Sequence, residues 1–149
     1  MNENAIFAAG CFWGVEEFFT KIKGINTTKV GYSGGISDNP KYEQVCSGNT
    51  GHAESILINF NNELLSYNSL LNYFWKCHNP TQLNQQGLDI GSQYRSAIFY
   101  LSQNQKEIAV RSKKNISKNY LTPVVTEISK AKIFFDAEEY HQNYLKKFK

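Results

Sequence analysis

The chain has 149 residues, enough for one domain with a real core, and its 41% hydrophobic and 14% aromatic content argues against disorder. A net charge of +3, with basic residues scattered late in Arg111-Ser112-Lys113-Lys114, Lys130-Ala131-Lys132 and Lys146-Lys147-Phe148-Lys149, suits a solvated surface better than nucleic-acid binding. No stretch is long enough to span a membrane, the N-terminus lacks a signal-peptide pattern, and three cysteines without a C-x-x-C pair indicate neither a disulfide framework nor a common zinc motif, so the chain reads as cytoplasmic with free thiols.

A short apolar run over residues 5–9 predicts a strand that stops at Gly10. Val15, Phe18, Phe19 and Ile22 then recur at three- and four-residue steps, which predicts an amphipathic helix with Cys11 at its first turn. Unpaired amides and the positive end of the helix dipole there favour a thiolate, so this reading expects a lowered Cys11 pKa. Phe12 and Trp13 follow the sulfur directly and can wall a small apolar pocket beside it.

Residues 27–32 read as a strand ending in the Ser33-Gly34-Gly35 turn, and residues 37–51 as a long ordered loop with one helical turn at Tyr42-Glu43-Gln44-Val45. A strand over 53–60 and a helix over about 66–77 follow, closed by His78-Asn79-Pro80-Thr81 and a polar loop through residues 85–91. Residues 94–101 alternate as a strand, 103–118 read as a polar helix, 124–128 as a strand and 137–145 as a last helix. Without repeats or linkers, and without regular parallel-crossover spacing, the expected architecture is a single α+β domain over residues 1–149, helices packed on a small mixed sheet with long ordered loops.

Three segments carry residues that a core does not need: 31–35, 42–54 and 86–96. Glu54 stands in an otherwise apolar strand, where desolvation would keep a carboxyl protonated near neutrality and fit it for general acid work. Tyr42 and Tyr94 are phenols able to donate to an oxygen. Other chemistry fits parts of the set: His52-Ala53-Glu54 has the H-x-E of zinc deaminases but lacks the P-C-x-x-C that must follow, and Cys11 with His52, His78 or His141 could form a Cys–His hydrolase.

Taken together, Gly-Cys-Phe-Trp-Gly from residue 10, Gly-Tyr-Ser-Gly-Gly from 31, Tyr-Glu-Gln-Val to Gly-His-Ala-Glu over 42–54, His-Asn-Pro-Thr from 78, Gln-Gly-Leu-Asp-Ile-Gly-Ser-Gln-Tyr-Arg-Ser from 86 and Ala-Glu-Glu-Tyr-His-Gln from 137 resemble the peptide methionine sulfoxide reductase A family, in order and over nearly the whole chain. The resemblance implies an α/β-plait, a ferredoxin-like variant, and an oxidoreductase that returns methionine-S-sulfoxide, free or in oxidised proteins, to methionine. It assigns Cys11 as the nucleophile that becomes a sulfenic acid and Glu54 as the acid that protonates the departing oxygen. Phe12 and Trp13 then hold the sulfoxide methyl group, Tyr42 and Tyr94 bind its oxygen, and Asp89 belongs to the same pocket. It implies a monomer with no bound cofactor, no metal and no nucleic-acid or membrane partner, served by an external thiol: thioredoxin, glutaredoxin, glutathione or dithiothreitol.

Two departures stand out. The last cysteine is Cys77, so a C-terminal recycling pair is absent, and direct reduction by an external thiol competes with Cys46, or less readily Cys77, as the resolving thiol. Asn79 replaces an aspartate common in the corresponding family motif.

Overall fold

The N-terminal apolar run becomes strand β1 (Asn2–Ala9) of a computed structural model, which describes residues 1–148. β1 is apolar on consecutive residues because both its edges and both its faces are covered. It pairs antiparallel with β3 (Ala53–Asn61) on one side and β6 (Ser96–Tyr100) on the other, Phe7 lying opposite both Ile56 and Ile98. Alternation then divides its side chains. Ala5, Phe7 and Ala9 enter the main core, whereas Ile6 and Ala8 join a smaller cluster with Ala53, Ala97 and Phe99 on the opposite face.

Three helices cover the main-core face. Helix α1 (Phe12–Phe19) contributes Val15 and Phe19, α3 (Tyr67–Lys76) contributes Leu70, Leu71, Phe74 and Trp75, and α4 (Gln103–Ser117) contributes Ala109. Two of them begin at serine caps, the Ser66 hydroxyl accepting the Ser69 amide and the Ser102 hydroxyl that of Gln105, which satisfies amides that the helix itself leaves free. A fourth helix, α2 (Tyr42–Cys46), is a five-residue turn in the long loop.

Strand β2 (Ile25–Ser33) pairs antiparallel with β3 and places Tyr32 directly opposite Glu54. The sheet has six strands in the order β7-β6-β1-β3-β2-β8, with β7 (Glu127–Lys130) parallel to β6 and β8 (Phe135–Asp136) antiparallel to β2. The end of β1, the end of β2 and the starts of β3 and β6 therefore lie at one edge: Ala9 faces Ser96, and Ser33 faces Ala53. Residues just beyond these strand ends converge there. The fold is mixed α+β.

Three expectations need correction. Residues 85–91 are not merely loop but hold a hairpin, β4 (Gln85–Gln86) against β5 (Asp89–Ile90). The strand expected over 124–128 lies at Glu127–Lys130, because the Val125 amide is already taken by the Pro80 carbonyl at 2.9 Å. The last helix does not form, and 3-10 turns at Glu139–His141 and Leu145–Phe148 replace it. Here tertiary bonds outcompete the helix: the Gln142 side chain accepts the Val30 amide at 2.9 Å and donates to the Val30 carbonyl at 2.9 Å, standing in for a strand neighbour. Asn143 turns to φ 51°, a left-handed value that interrupts any helix, and gives its amide to Glu16 at 2.6 Å. The segment 137–144 is thus a strap fastened to β2 and α1.

Candidate active site

Gly10, at φ 97°, turns the chain out of β1, and Cys11 becomes the N-cap of α1, its carbonyl accepting the Val15 amide at 3.3 Å. The Cys11 sulfur thus lies at the N-terminal end of α1, within reach of the first-turn amides of Trp13 and Gly14. A side chain at Gly10 would meet Gln86 of the β4–β5 hairpin at 2.9 Å, so only glycine lets that hairpin close over the turn that carries Cys11.

Glu54, at the start of β3, is 1% exposed. Its Oε1 accepts the Phe12 amide at 3.1 Å, and its Oε2 is buried with no hydrogen-bond partner. Burial pushes this carboxyl up to about 7, the Phe12 amide pulling against that and exposed Asp89 adding to it. The Cys11 thiol is pushed up to about 11, first by burial and then by the charges of Glu54 and Asp89. Hydrogen bonds from the Trp13 and Gly14 amides act in the opposite direction, so the helix N-terminus does favour the thiolate as expected, but burial and the carboxylate outweigh it. The lowered thiol pKa expected from the sequence is therefore corrected: the resting form is the thiol.

Around this pair the phenols gather. The Tyr94 hydroxyl is raised to about 12, first by burial and then by the charges of Glu54, Cys46, Asp89 and Cys11. Tyr42, the first residue of α2, is raised by burial and by its hydrogen bond with Cys46 one turn later. The Cys46 thiol is itself raised by burial, against the Tyr42 bond. Cys77 stands apart: its sulfur donates to the Phe74 carbonyl at 3.1 Å beside the main core, and burial lifts it to about 12.

The aromatic wall is held from the C-terminal strap. Trp13 Nε1 donates to His141 Nδ1 at 2.9 Å, and Tyr144 stacks on the indole with centroids 3.9 Å apart. Phe12 is buried against Tyr32 and His141 at 5.7 and 5.3 Å between ring centroids. Sequence reasoning gave no role to Tyr32, Glu138 or Tyr144, and gave His141 one only as a hydrolase base. The signals were the Gly-Tyr-Ser-Gly-Gly and Ala-Glu-Glu-Tyr-His-Gln runs, which were read as motifs with no site role for these residues.

The histidines do not supply a base to Cys11. His52 accepts the Gly35 amide at 3.0 Å and donates to the Ser37 carbonyl at 2.7 Å, so both nitrogens are spent on the loop. His78 bridges the Phe74 carbonyl and the Ser96 hydroxyl, and burial lowers it to about 4. His141 Nδ1 accepts the hydrogen bond from the Trp13 indole N–H, and burial lowers the His141 pKa. Among the described residues no group of three or more His, Cys, Asp and Glu side chains is arranged to hold a metal.

A family model described as peptide methionine sulfoxide reductase matches residues 3–149. The chain belongs to that family. As a peptide methionine sulfoxide reductase it is an oxidoreductase. It is 54% identical over 142 residues to peptide methionine sulfoxide reductase MsrA of Clostridium botulinum (strain Okra / Type B1), covering 95% of this chain and 90% of the relative. Mxr1 from Saccharomyces cerevisiae in reduced form superposes with a TM-score of 0.94 at 34% identity, over 98% of this reductase and 85% of the yeast chain. Mxr1 in complex with Trx2 matches with a TM-score of 0.71 at 25% identity, over 96% and 84% of the two chains.

Proposed function

We propose that this reductase converts the S epimer of methionine sulfoxide, in proteins or free, to methionine through a sulfenic acid on Cys11, with Glu54 as the acid. The observation that carries the reading is the state of Glu54: buried, shifted to about 7, anchored by one oxygen to the residue after Cys11 and leaving the other unpartnered. A carboxyl so held can deliver a proton at neutral pH to an oxygen brought to Oε2.

The Cys11 sulfur attacks the sulfoxide sulfur while Glu54 protonates the oxygen. The attack forms a sulfur–sulfur bond; the protonated oxygen then passes from the substrate sulfur to the Cys11 sulfur, the sulfur–sulfur bond breaks with its electron pair on the methionine sulfur, and Cys11 is left as Cys–SOH. Formally, thiol plus sulfoxide gives sulfenic acid plus methionine, with one proton passing from thiol to carboxylate and on to oxygen. Tyr42 and Tyr94 hold that oxygen, Asp89 borders the same pocket, and Phe12 and Trp13 receive the methyl group. An apolar wall facing an oxygen-binding wall selects the S epimer, since the R epimer would set its methyl against the polar groups.

Two molecules of thiol then reduce the sulfenic acid, giving disulfide and water. We read the reductant as a thioredoxin-type protein, supported by the Mxr1–Trx2 neighbour, with glutaredoxin, glutathione or dithiothreitol as alternative donors and no bound cofactor. Cys46 is the competing resolving thiol, favoured by its bond to Tyr42; a Cys11–Cys46 disulfide in a peptide map after one equivalent of sulfoxide would establish that route. The sheet order β6-β1-β3-β2 with α1 and α3 as connections supports an α/β plait in a single domain. We also read the protein as a monomer in a cytoplasmic setting, where the free Cys11, Cys46 and Cys77 thiols fit a reducing compartment.

The test is turnover of separate S and R epimers of a peptide methionine sulfoxide with dithiothreitol, by the protein and by Cys11→Ser. Methionine from the S epimer alone, lost in the variant, is expected. Methionine from neither epimer with folded protein, or from both, defeats the proposal.

A further inference from the structure

Glu138 belongs to no motif role assigned above, yet its carboxylate sits between two elements of the site. Its Oε1 accepts the Tyr32 hydroxyl at 2.9 Å, and its Oε2 accepts the Tyr42 amide at 3.1 Å. Tyr32 lies on β2 directly opposite Glu54, and Tyr42 opens α2. The two oxygens thus join the rigid sheet to α2, a five-residue helix in a loop of mostly exposed polar residues, whose other anchors include buried Val45, the Gln93 side-chain amide on the Cys46 carbonyl at 3.4 Å and the Tyr42 ring against His141 with centroids 4.5 Å apart.

The bracket is itself fixed. On the N-terminal side the Ala137 amide donates to the Val30 carbonyl at 3.0 Å. On the C-terminal side Gln142 clasps Val30 through both its amide and its carbonyl. The chain on both sides of Glu138 is therefore tied to Val30 of β2, and a carboxylate projecting from between these ties fixes whatever it binds relative to the sheet. Burial works against the carboxylate, but bonds from its own amide, the Tyr42 amide and the Tyr32 phenol hold it below the usual range, so it stays charged at neutral pH.

We propose that Glu138 is a positioning residue for the reaction: bridging Tyr32 and Tyr42, it sets where the Tyr42 phenol meets the substrate oxygen. The inference rests on the reading of Tyr42 given under the proposed function. Its consequence is kinetic rather than purely structural. A hydrogen-bond donor aimed at an oxygen that gains charge as the bond breaks matters more in the transition state than in the bound substrate, and displacement of about 1 Å costs up to about a hundredfold. Loss of Glu138 should thus reach kcat, and it should do so through Tyr42. Glutamine can replace the bracket, because its carbonyl accepts the Tyr42 amide while its NH2 donates to the Tyr32 oxygen.

The experiment is a double-variant cycle on single-turnover methionine formation from a peptide S-sulfoxide, over a range of substrate concentrations. Wild type, Tyr42→Phe, Glu138→Ala, Glu138→Gln and Glu138→Ala/Tyr42→Phe are compared. Glu138→Ala is expected to lower the limiting rate at least about tenfold with a smaller change in half-saturation, and Glu138→Gln to remain within about threefold of wild type. The double variant should be no slower than the slower single variant, since both changes remove one interaction. Losses that multiply, a limiting rate unchanged by Glu138→Ala, or a glutamine variant as slow as the alanine variant each overturn the proposal. A fully active Tyr42→Phe overturns it too, and separately shows that the reading of Tyr42 was wrong. Should Glu138→Ala not fold, Tyr32→Phe removes one arm of the bracket with Glu138 in place. A rate loss that does not multiply with Tyr42→Phe supports the proposal, and an unchanged or multiplying rate overturns it.

Discussion

The Phe12 amide donates to Glu54 Oε1 at 3.1 Å, tying the buried carboxyl to the residue that follows Cys11. The proposed acid and the proposed nucleophile are held as one unit, and their protons count together. With the thiol near 11 and the carboxyl near 7, the pair carries one proton between those values, which is the stoichiometry of thiolate plus acid. Below pH 7 the pair gains a second proton, and the competent fraction falls about tenfold per pH unit. The single-turnover rate constant at subsaturating S-sulfoxide should therefore rise to a plateau near pH 7. Glu54→Gln should lower the rate by about 10²–10⁴-fold at pH 7.5 and remove that inflection. An inflection that persists in the variant would assign the titration to another group.

The loop that leads into Glu54 is closed without space to spare. A side chain on Gly35 would come within 2.3 Å of the His52 amide nitrogen and 2.5 Å of the Thr50 carbonyl oxygen, both backbone atoms. The same contact carries the Ile36 amide to the Thr50 carbonyl and the Gly35 amide to His52. Gly35→Ala should destabilise by about 1–3 kcal/mol, as overpacking does, and lower the urea midpoint accordingly. Activity should fall as well, because residues 50–52 run straight into Glu54. A variant with the wild-type midpoint would show that the two loop segments separate freely.

How much of this was legible depends on how local each cause is. The junction at Cys11 could be read because Gly10 and the spacing of Val15, Phe18 and Phe19 are neighbours in sequence. Glu54 drew attention as a lone carboxyl in an apolar strand, and its burial follows from the interior position of β3. The strap could not be read in the same way. Its helix-like composition is overruled by bonds to Val30, 112 residues away, and to Glu16, 127 residues away, which leave no periodic trace. The thiol misled for a similar reason: the helix end beside Cys11 is local, whereas the burial and the Glu54 charge that outweigh it are tertiary.

The raised carboxyl also sets a stability cost with a definite sign. Glu54 moves from 4.5 to about 7 on folding, so the folded state binds the proton more tightly. Below pH 4.5 the group is neutral in both states and costs nothing. Between 4.5 and 7 the unfolded chain ionises first and stability falls. Above 7 the penalty is constant at roughly 3 kcal/mol, since each pH unit separating the folded and unfolded values costs about 1.4 kcal/mol. Glu54→Gln keeps an acceptor for the Phe12 amide and removes the charge. Its urea midpoint should match wild type at pH 4.5 and exceed it at pH 8. A variant less stable than wild type at pH 8 would mean that the ionised carboxylate is held by contacts stronger than its burial.

The same charge should be visible in the reactivity of Cys11. Burial and the Glu54 carboxylate both oppose the thiolate, while the Trp13 and Gly14 amides favour it. At pH 8, above the Glu54 pKa, wild-type Cys11 should react slowly with iodoacetamide, because the thiolate is the alkylated form. Glu54→Gln removes the repulsion and leaves the helix amides in place, so Cys11 alkylation should accelerate severalfold even as sulfoxide reduction collapses. Cys77, buried and bonded to the Phe74 carbonyl, is the internal control and should not change. Peptide mapping with timed quenching separates the two sites. Parallel acceleration at both would report a loosened fold, and no acceleration at Cys11 would mean that the Glu54 charge does not hold back its thiolate.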